Sequence, residues 1–70
     1  MTEKRTLTLN LSEEEMNSLA QLALRSDMSK TAVIKKAIRI YLVLEKRIQK
    51  GEHIFVEDEV NKVKVELILV

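Results

Sequence analysis

Arg5-Thr6-Leu7-Thr8-Leu9-Asn10-Leu11-Ser12 alternates strictly, apolar with polar, and runs straight into a helix start. Period two places Leu7, Leu9 and Leu11 on one face of an extended chain and Thr6, Thr8 and Asn10 on the other. The leucine face needs a core. The opposite face carries short, hydrogen-bonding side chains, with Lys4 and Arg5 beside them. No other strand pattern occurs before the C-terminal part of the chain, so this strand has no nearby partner of its own. Unpaired backbone groups beside a core are costly, and pairing with the same strand of a second copy removes that cost.

Downstream, Ser12 and Glu15 have the spacing of a capping box, and Glu13, Glu14 and Glu15 suit the positive end of a helix dipole. The spacing predicts a helix from about Glu13 to Ser26, with Met16, Leu19, Ala20 and Ala23 in one stripe widened by Leu22 and Leu24. Asp27 falls where a helix ends in a left-handed residue, a place easier for Gly, and Met28 is expected to pack at the turn. Ser29 restarts a helix as its N-cap, with Lys30 and Thr31 in the first turn. This second helix runs to about Lys50, and Gly51 supplies the stop, with Lys46, Arg47 and Lys50 near its negative end.

The core stripe of the second helix is Ile34, Ala37, Ile38, Tyr41, Leu44 and Ile48, with the Tyr41 hydroxyl at its edge. Val33, Ile40, Leu42 and Val43 carry apolar surface further round. A helix apolar on more than one side has to be covered on more than one side. One short partner helix cannot do this; a second subunit can.

After Gly51 the pattern becomes β-prone. Residues 53–57 read as a strand that includes His53 as a surface residue, Asp58-Glu59-Val60-Asn61 as a turn, and residues 62–70 as a second strand. Val63, Val65, Leu67 and Leu69 alternate there with Lys64, Glu66 and Ile68. The last four residues, Leu67 to Val70, are apolar on both faces and are expected to be buried against the helices, a second subunit or a partner. The chain therefore divides into a module over 1–51 and a hairpin extension over 52–70 of the same compact unit.

Seventy residues bury little surface on their own. Small domains compensate with disulfides, metals or oligomerisation. With no Cys and one His, neither a disulfide nor a metal site is expected, and no cofactor. Yet 46% of the residues are apolar, which leaves oligomerisation. No apolar run approaches the ~18 residues of a membrane span. Met1 to Arg5 is polar and unlike a signal peptide. These features suggest a soluble, cytoplasmic protein with no membrane partner. Charge is uneven: residues 1–51 hold ten Lys and Arg against six Asp and Glu, a net of +4, and residues 52–70 hold two Lys against five acids, a net of −3. The front of the chain suits a polyanion and the back does not. An enzyme is not expected, because no nucleophile–base pair, metal cluster or glycine-rich loop is present.

The order of strand, helix, turn and longer helix resembles the ribbon-helix-helix family of Arc/MetJ/CopG-type DNA-binding proteins. The likeness is carried by Arg5 to Ser12 and by Met28-Ser29-Lys30-Thr31-Ala32-Val33-Ile34, followed by Tyr41, and spans about residues 4–50. Asp27 departs from it, since the family usually has Gly there, and the hairpin lies outside it. The resemblance implies a mainly α fold with a β-ribbon: an intertwined β-α-α homodimer, here with an added C-terminal β-hairpin. It further implies sequence-specific binding of double-stranded DNA, with the paired strands in the major groove, and a role as a transcriptional regulator, as a repressor.

In that arrangement Thr6, Thr8 and Asn10 contact bases, Asn10 suiting adenine and the threonines base edges or a thymine methyl. Lys4, Arg5, Ser29, Lys30 and Thr31 contact phosphates, the last three through the start of the second helix. Lys35, Lys36 and Arg39 read as a solvated face. Two other readings stay open. An antitoxin would bind DNA through the same ribbon and grip a toxin through 52–70; an assembly module would bind protein and no nucleic acid. A higher oligomer on DNA is a further open point.

Overall fold

The computed structural model describes residues 3–69. Met1 and Thr2 of the expected N-terminal arm, and Val70 of the expected last strand, lie outside the described residues. The elements are α1 (Glu13–Ser26), α2 (Lys30–Gln49), β1 (Ile54–Asp58) and β2 (Val63–Leu67). The chain is thus a small α+β protein of two helices and one two-stranded antiparallel sheet. It falls into two compact units, one ending at Ile34 and one beginning at Lys35, so that the boundary lies inside α2.

In the first unit, α1 starts on the capping box read from the sequence. The Glu15 amide donates to Ser12 Oγ at 3.1 Å, and the Glu15 carboxylate accepts from the Ser12 amide at 2.9 Å. Two of the helix's orphan donors are thereby satisfied. The helix ends on Asp27 in the left-handed region, φ 52° and ψ 47°. The Asp27 amide donates to the Leu24 carbonyl at 3.3 Å, and the Met28 amide to the Ala23 carbonyl at 2.9 Å. This pair of bonds is a Schellman motif, and it turns the chain toward Ser29. The Ala32 amide donates to Ser29 Oγ at 3.0 Å and the Val33 amide to the Ser29 carbonyl at 3.0 Å, which caps α2.

In the second unit, α2 ends by the same device. Gly51 stands at φ +87°, its amide donates to the Ile48 carbonyl at 2.9 Å, and the Glu52 amide donates to the Arg47 carbonyl at 3.1 Å. In the hairpin Ile54 pairs with Leu67, Phe55 with Glu66, Val56 with Val65, Glu57 with Lys64 and Asp58 with Val63. Opposed residues share a face. One face is therefore apolar along Ile54, Val56, Val63, Val65 and Leu67 and ends at the turn on Asp58, and the other carries Phe55, Glu57, Lys64 and Glu66. On the second face, His53 Nδ1 lies 2.9 Å from Glu66 Oε2, and Lys64 Nζ lies 4.8 Å from the centre of the Phe55 ring.

Several expectations need correction here. The turn is Glu59 to Lys62, one residue later than the sequence suggests. Asp58 closes β1, and its carboxylate accepts from the Val60 amide (3.0 Å), the Asn61 amide (3.2 Å) and Asn61 Nδ2 (2.8 Å). Lys62 adopts φ 54° and completes the loop instead of starting β2. His53 precedes β1, and β2 stops at Leu67.

The apolar stripes meet little cover within the single chain. Ala23 is the one buried apolar residue among the described residues. Tyr41, expected in the core, is 58% exposed, and Ile68 is 72% exposed. Ile38, Ile40, Leu42, Val43, Ile48, Leu67 and Leu69 are exposed as well. Helical spacing sorts these residues onto common faces, and those faces stay largely open to solvent among the described residues.

Candidate nucleic-acid interface

Residues 3–12 form neither a helix nor a hydrogen-bonded strand in the single chain. A strand is defined by its partner, and none of the described residues supplies one. Thr6, Thr8 and Asn10 are exposed, as are Leu7 (74%) and Leu9; Leu11, next to the α1 cap, is half-buried. Both faces of the alternation are thus open to solvent. Its C-terminal end is held by the Ser12–Glu15 capping box.

Lys4 and Arg5 are also exposed. Arg5 does not stand alone: its guanidinium donates to the Glu3 carboxylate at 2.8 Å. The sequence reading took no account of Glu3. An exposed pair of this kind is worth little, and a phosphate can displace Glu3 at small cost.

Ser29, Lys30 and Thr31 lie together at the start of α2 and are exposed. Ser29 Oγ is occupied by the Ala32 amide. The Lys30 and Thr31 amides sit in the first turn, where amides have no partner within their own helix. The two helix starts differ in charge. The first turn of α1 holds Glu13, Glu14 and Glu15, whereas that of α2 holds no acid. A cap plus three carboxylates already satisfies the positive end of α1, while α2 keeps its dipole unopposed by its own first turn. The carboxylate of Asp27 is the nearest acid in sequence. It lines, with Ala20, Ala23, Met28, Ser29 and Lys30, a shallow hollow at the α1–α2 corner.

Among the described residues no cluster of three or more His, Cys, Asp or Glu could hold a metal ion, and no helix is long and apolar enough to cross a membrane. The hydrogen bonds from the Asn61 side chain, the Asn61 amide and the Val60 amide hold the Asp58 carboxyl below its ordinary value. That group is a turn clamp in the hairpin, remote in sequence from residues 4–10 and 29–31. In the sequence Asp58 carries the signal of a turn residue, and nothing in the spacing marks the three bonds it accepts. No family model matches this chain, and neither a curated protein nor a solved structure is significantly similar to it.

Proposed function

We propose that the chain is a homodimeric, sequence-specific binder of double-stranded DNA that regulates transcription, acting as a repressor by occupying a promoter. In this reading the fold is completed by a second copy as a ribbon-helix-helix dimer. Residues 5–11 of the two copies pair antiparallel, and the four helices intertwine behind them. The leucines of the ribbon turn inward onto the helices, and two sets of Thr6, Thr8 and Asn10 face the major groove. Base-edge contacts from these residues choose the sequence. Lys4, Arg5, Ser29, Lys30 and Thr31 grip the backbone, the start of α2 receiving a phosphate.

The observation that carries the reading is the state of residues 5–11. They alternate strictly, are exposed on both faces, have no strand partner among the described residues, and lead into a firmly capped helix. An identical strand satisfies the backbone, and the helices of the two copies cover Leu7 and Leu9 on the inner face of the ribbon. The exposed stripe of α2 supports the same partner, since two-sided apolar helices need cover that one copy does not supply.

Selection of bound sites from random duplex DNA, repeated with Asn10→Ala, tests it. The expected result is a two-fold symmetric site whose preference relaxes at one position per half-site in the variant. No retardation of any duplex at about 50 mM salt, where phosphate attraction is strong, removes the DNA reading and leaves an assembly module. The acidic, apolar and exposed hairpin gives the antitoxin reading its own motive. Limited proteolysis separates the two: a tail over 52–70 that is cut freely favours an antitoxin, and a resistant one favours a stand-alone regulator.

A further inference from the structure

The hairpin is a two-stranded sheet, so each strand keeps one open edge. Such edges invite pairing unless something blunts them. Along β2 the side chains are Val63-Lys64-Val65-Glu66-Leu67. Folded antiparallel onto a copy of itself about Val65, this strand sets Val65 against Val65, Val63 against Leu67, and Lys64 against Glu66 twice over. Each pair matches apolar with apolar or cation with anion, which is the pattern that stabilises opposed strand residues. All the pairs keep the faces that β1 has already imposed, because the register about Val65 preserves parity.

The β1 edge lacks this property. Ile54-Phe55-Val56-Glu57-Asp58 folded about Val56 sets Phe55 against Glu57 and Ile54 against Asp58, with no cation to meet either acid. One edge of the hairpin is therefore complementary to itself and the other is not.

We infer that β2 is an interface between two copies of this chain, closing a four-stranded sheet in the order β1-β2-β2-β1 about a two-fold axis at Val65. The second copy is the occupant because the charge pattern of β2 complements itself. The pairing is isologous and closes at two copies, since the remaining outer edges are the acidic β1 strands. It joins the apolar faces of the two hairpins into one. The inference does not depend on DNA or on residues 5–11.

The chain has no cysteine, so a single introduced one reports its neighbour without interference. Val65 and Val56 oppose each other in the hairpin and are almost equally exposed, 56% and 57%. Across the two-fold axis, residue 65 faces its own copy at about 4.5–5.5 Å between Cα atoms, within the range of a disulfide. Residue 56 lies three strand spacings from its copy, roughly 14 Å, beyond that range. The full-length chain carrying Val65→Cys is expected to double its mass on a non-reducing gel after mild oxidation, and Val56→Cys to remain single. Equal crosslinking of the two variants would mean face-to-face or random association and overturns the inference, as does failure of Val65→Cys to crosslink while circular dichroism shows it folded. Neither outcome touches the DNA-binding reading, which the site selection tests separately.

Discussion

Arg47 and Glu52 hold, at the end of α2, the two positions that Ala23 and Met28 hold at the end of α1, and they meet as an ion pair at 3.3 Å. Both helices close with the same two backbone bonds, and Schellman closures are usually sealed by an apolar contact between these positions. At α1 the apolar version fits, with Ala23 buried and Met28 half-buried. At α2 both side chains are exposed and the seal is electrostatic. Exposed pairs contribute little and are screened by salt. Glu52→Gln is accordingly expected to lower stability by less than about 1 kcal/mol in urea titrations at low salt, with the difference vanishing in high salt.

The two closures also differ in backbone cost. Asp27 is an L-residue in the left-handed region, and Gly51 occupies that region freely. A Cβ added at Gly51 meets nothing within 4 Å, so Gly51→Ala tests the backbone alone. It is expected to lose about 1 kcal/mol. Asp27→Gly is expected to gain about 0.5 kcal/mol, the relief being partly offset by a freer unfolded chain. Thermal melting of the two variants should move in opposite directions.

The two helix caps separate stability from binding. Ser12→Ala removes one half of the capping box and Ser29→Ala removes the cap of α2, each at about 1 kcal/mol of stability. Only Ser29 lies at the proposed phosphate contact. Ser29→Ala is expected to weaken DNA binding beyond its effect on folding, and Ser12→Ala is not, when both are titrated with duplex DNA well below their unfolding temperatures.

Asp58 gives the hairpin a pH dependence of defined sign. Its carboxyl is held below 3.8, its ordinary value, by hydrogen bonds that the unfolded chain lacks. The folded hairpin therefore binds the proton less readily than the unfolded chain does. The clamp's contribution is complete above the ordinary value and is lost as pH falls through the lowered one. Protection of the Val60 and Asn61 amides, measured against the intrinsic exchange rate at each pH, is expected to hold down to about pH 4 and to fall below it. Asp58→Ala should show that loss at every pH.

Lys30 and Asn10 are expected to fail differently. Lys30→Ala should weaken binding about equally for all duplexes and reduce the salt slope by about one. Asn10→Ala should cost about 1–3 kcal/mol of discrimination at its own base pair and leave the salt slope unchanged. Binding curves at several salt concentrations, on a selected site and on random DNA, distinguish the two roles.

What the sequence disclosed follows the range of each interaction. Helix ends are decided within five residues, so Ser12 with Glu15, Asp27, Ser29 and Gly51 marked the limits of both helices, the second to within one residue. The hairpin is legible in its alternation, but its loop lies one residue later than the alternation suggests. Two things decide that loop: the left-handed Lys62 and the three bonds to Asp58, neither of which hydrophobic period encodes. Residues 5–11 show the opposite limit. Their alternation marks which side chains belong together, but hydrogen bonding between strands needs a second strand, and one copy has none to offer there. The same holds for Tyr41 and Ile38, whose spacing marks a face and not what covers it. Of the candidate site, Thr6, Thr8, Asn10 and the α2 start are exposed, as are most described residues, and the Glu3–Arg5 pair is an addition from structure.

Ala23 is a small side chain to be the one apolar group buried among the described residues. In the proposed dimer, contacts between the two copies would supply the cooperativity that so small a buried group does not. Mass action then governs the transition: each tenfold dilution of a dimer removes about 1.4 kcal/mol of apparent stability. The protein would hold its shape only while enough of it is present in the cell, a built-in measure of its own abundance.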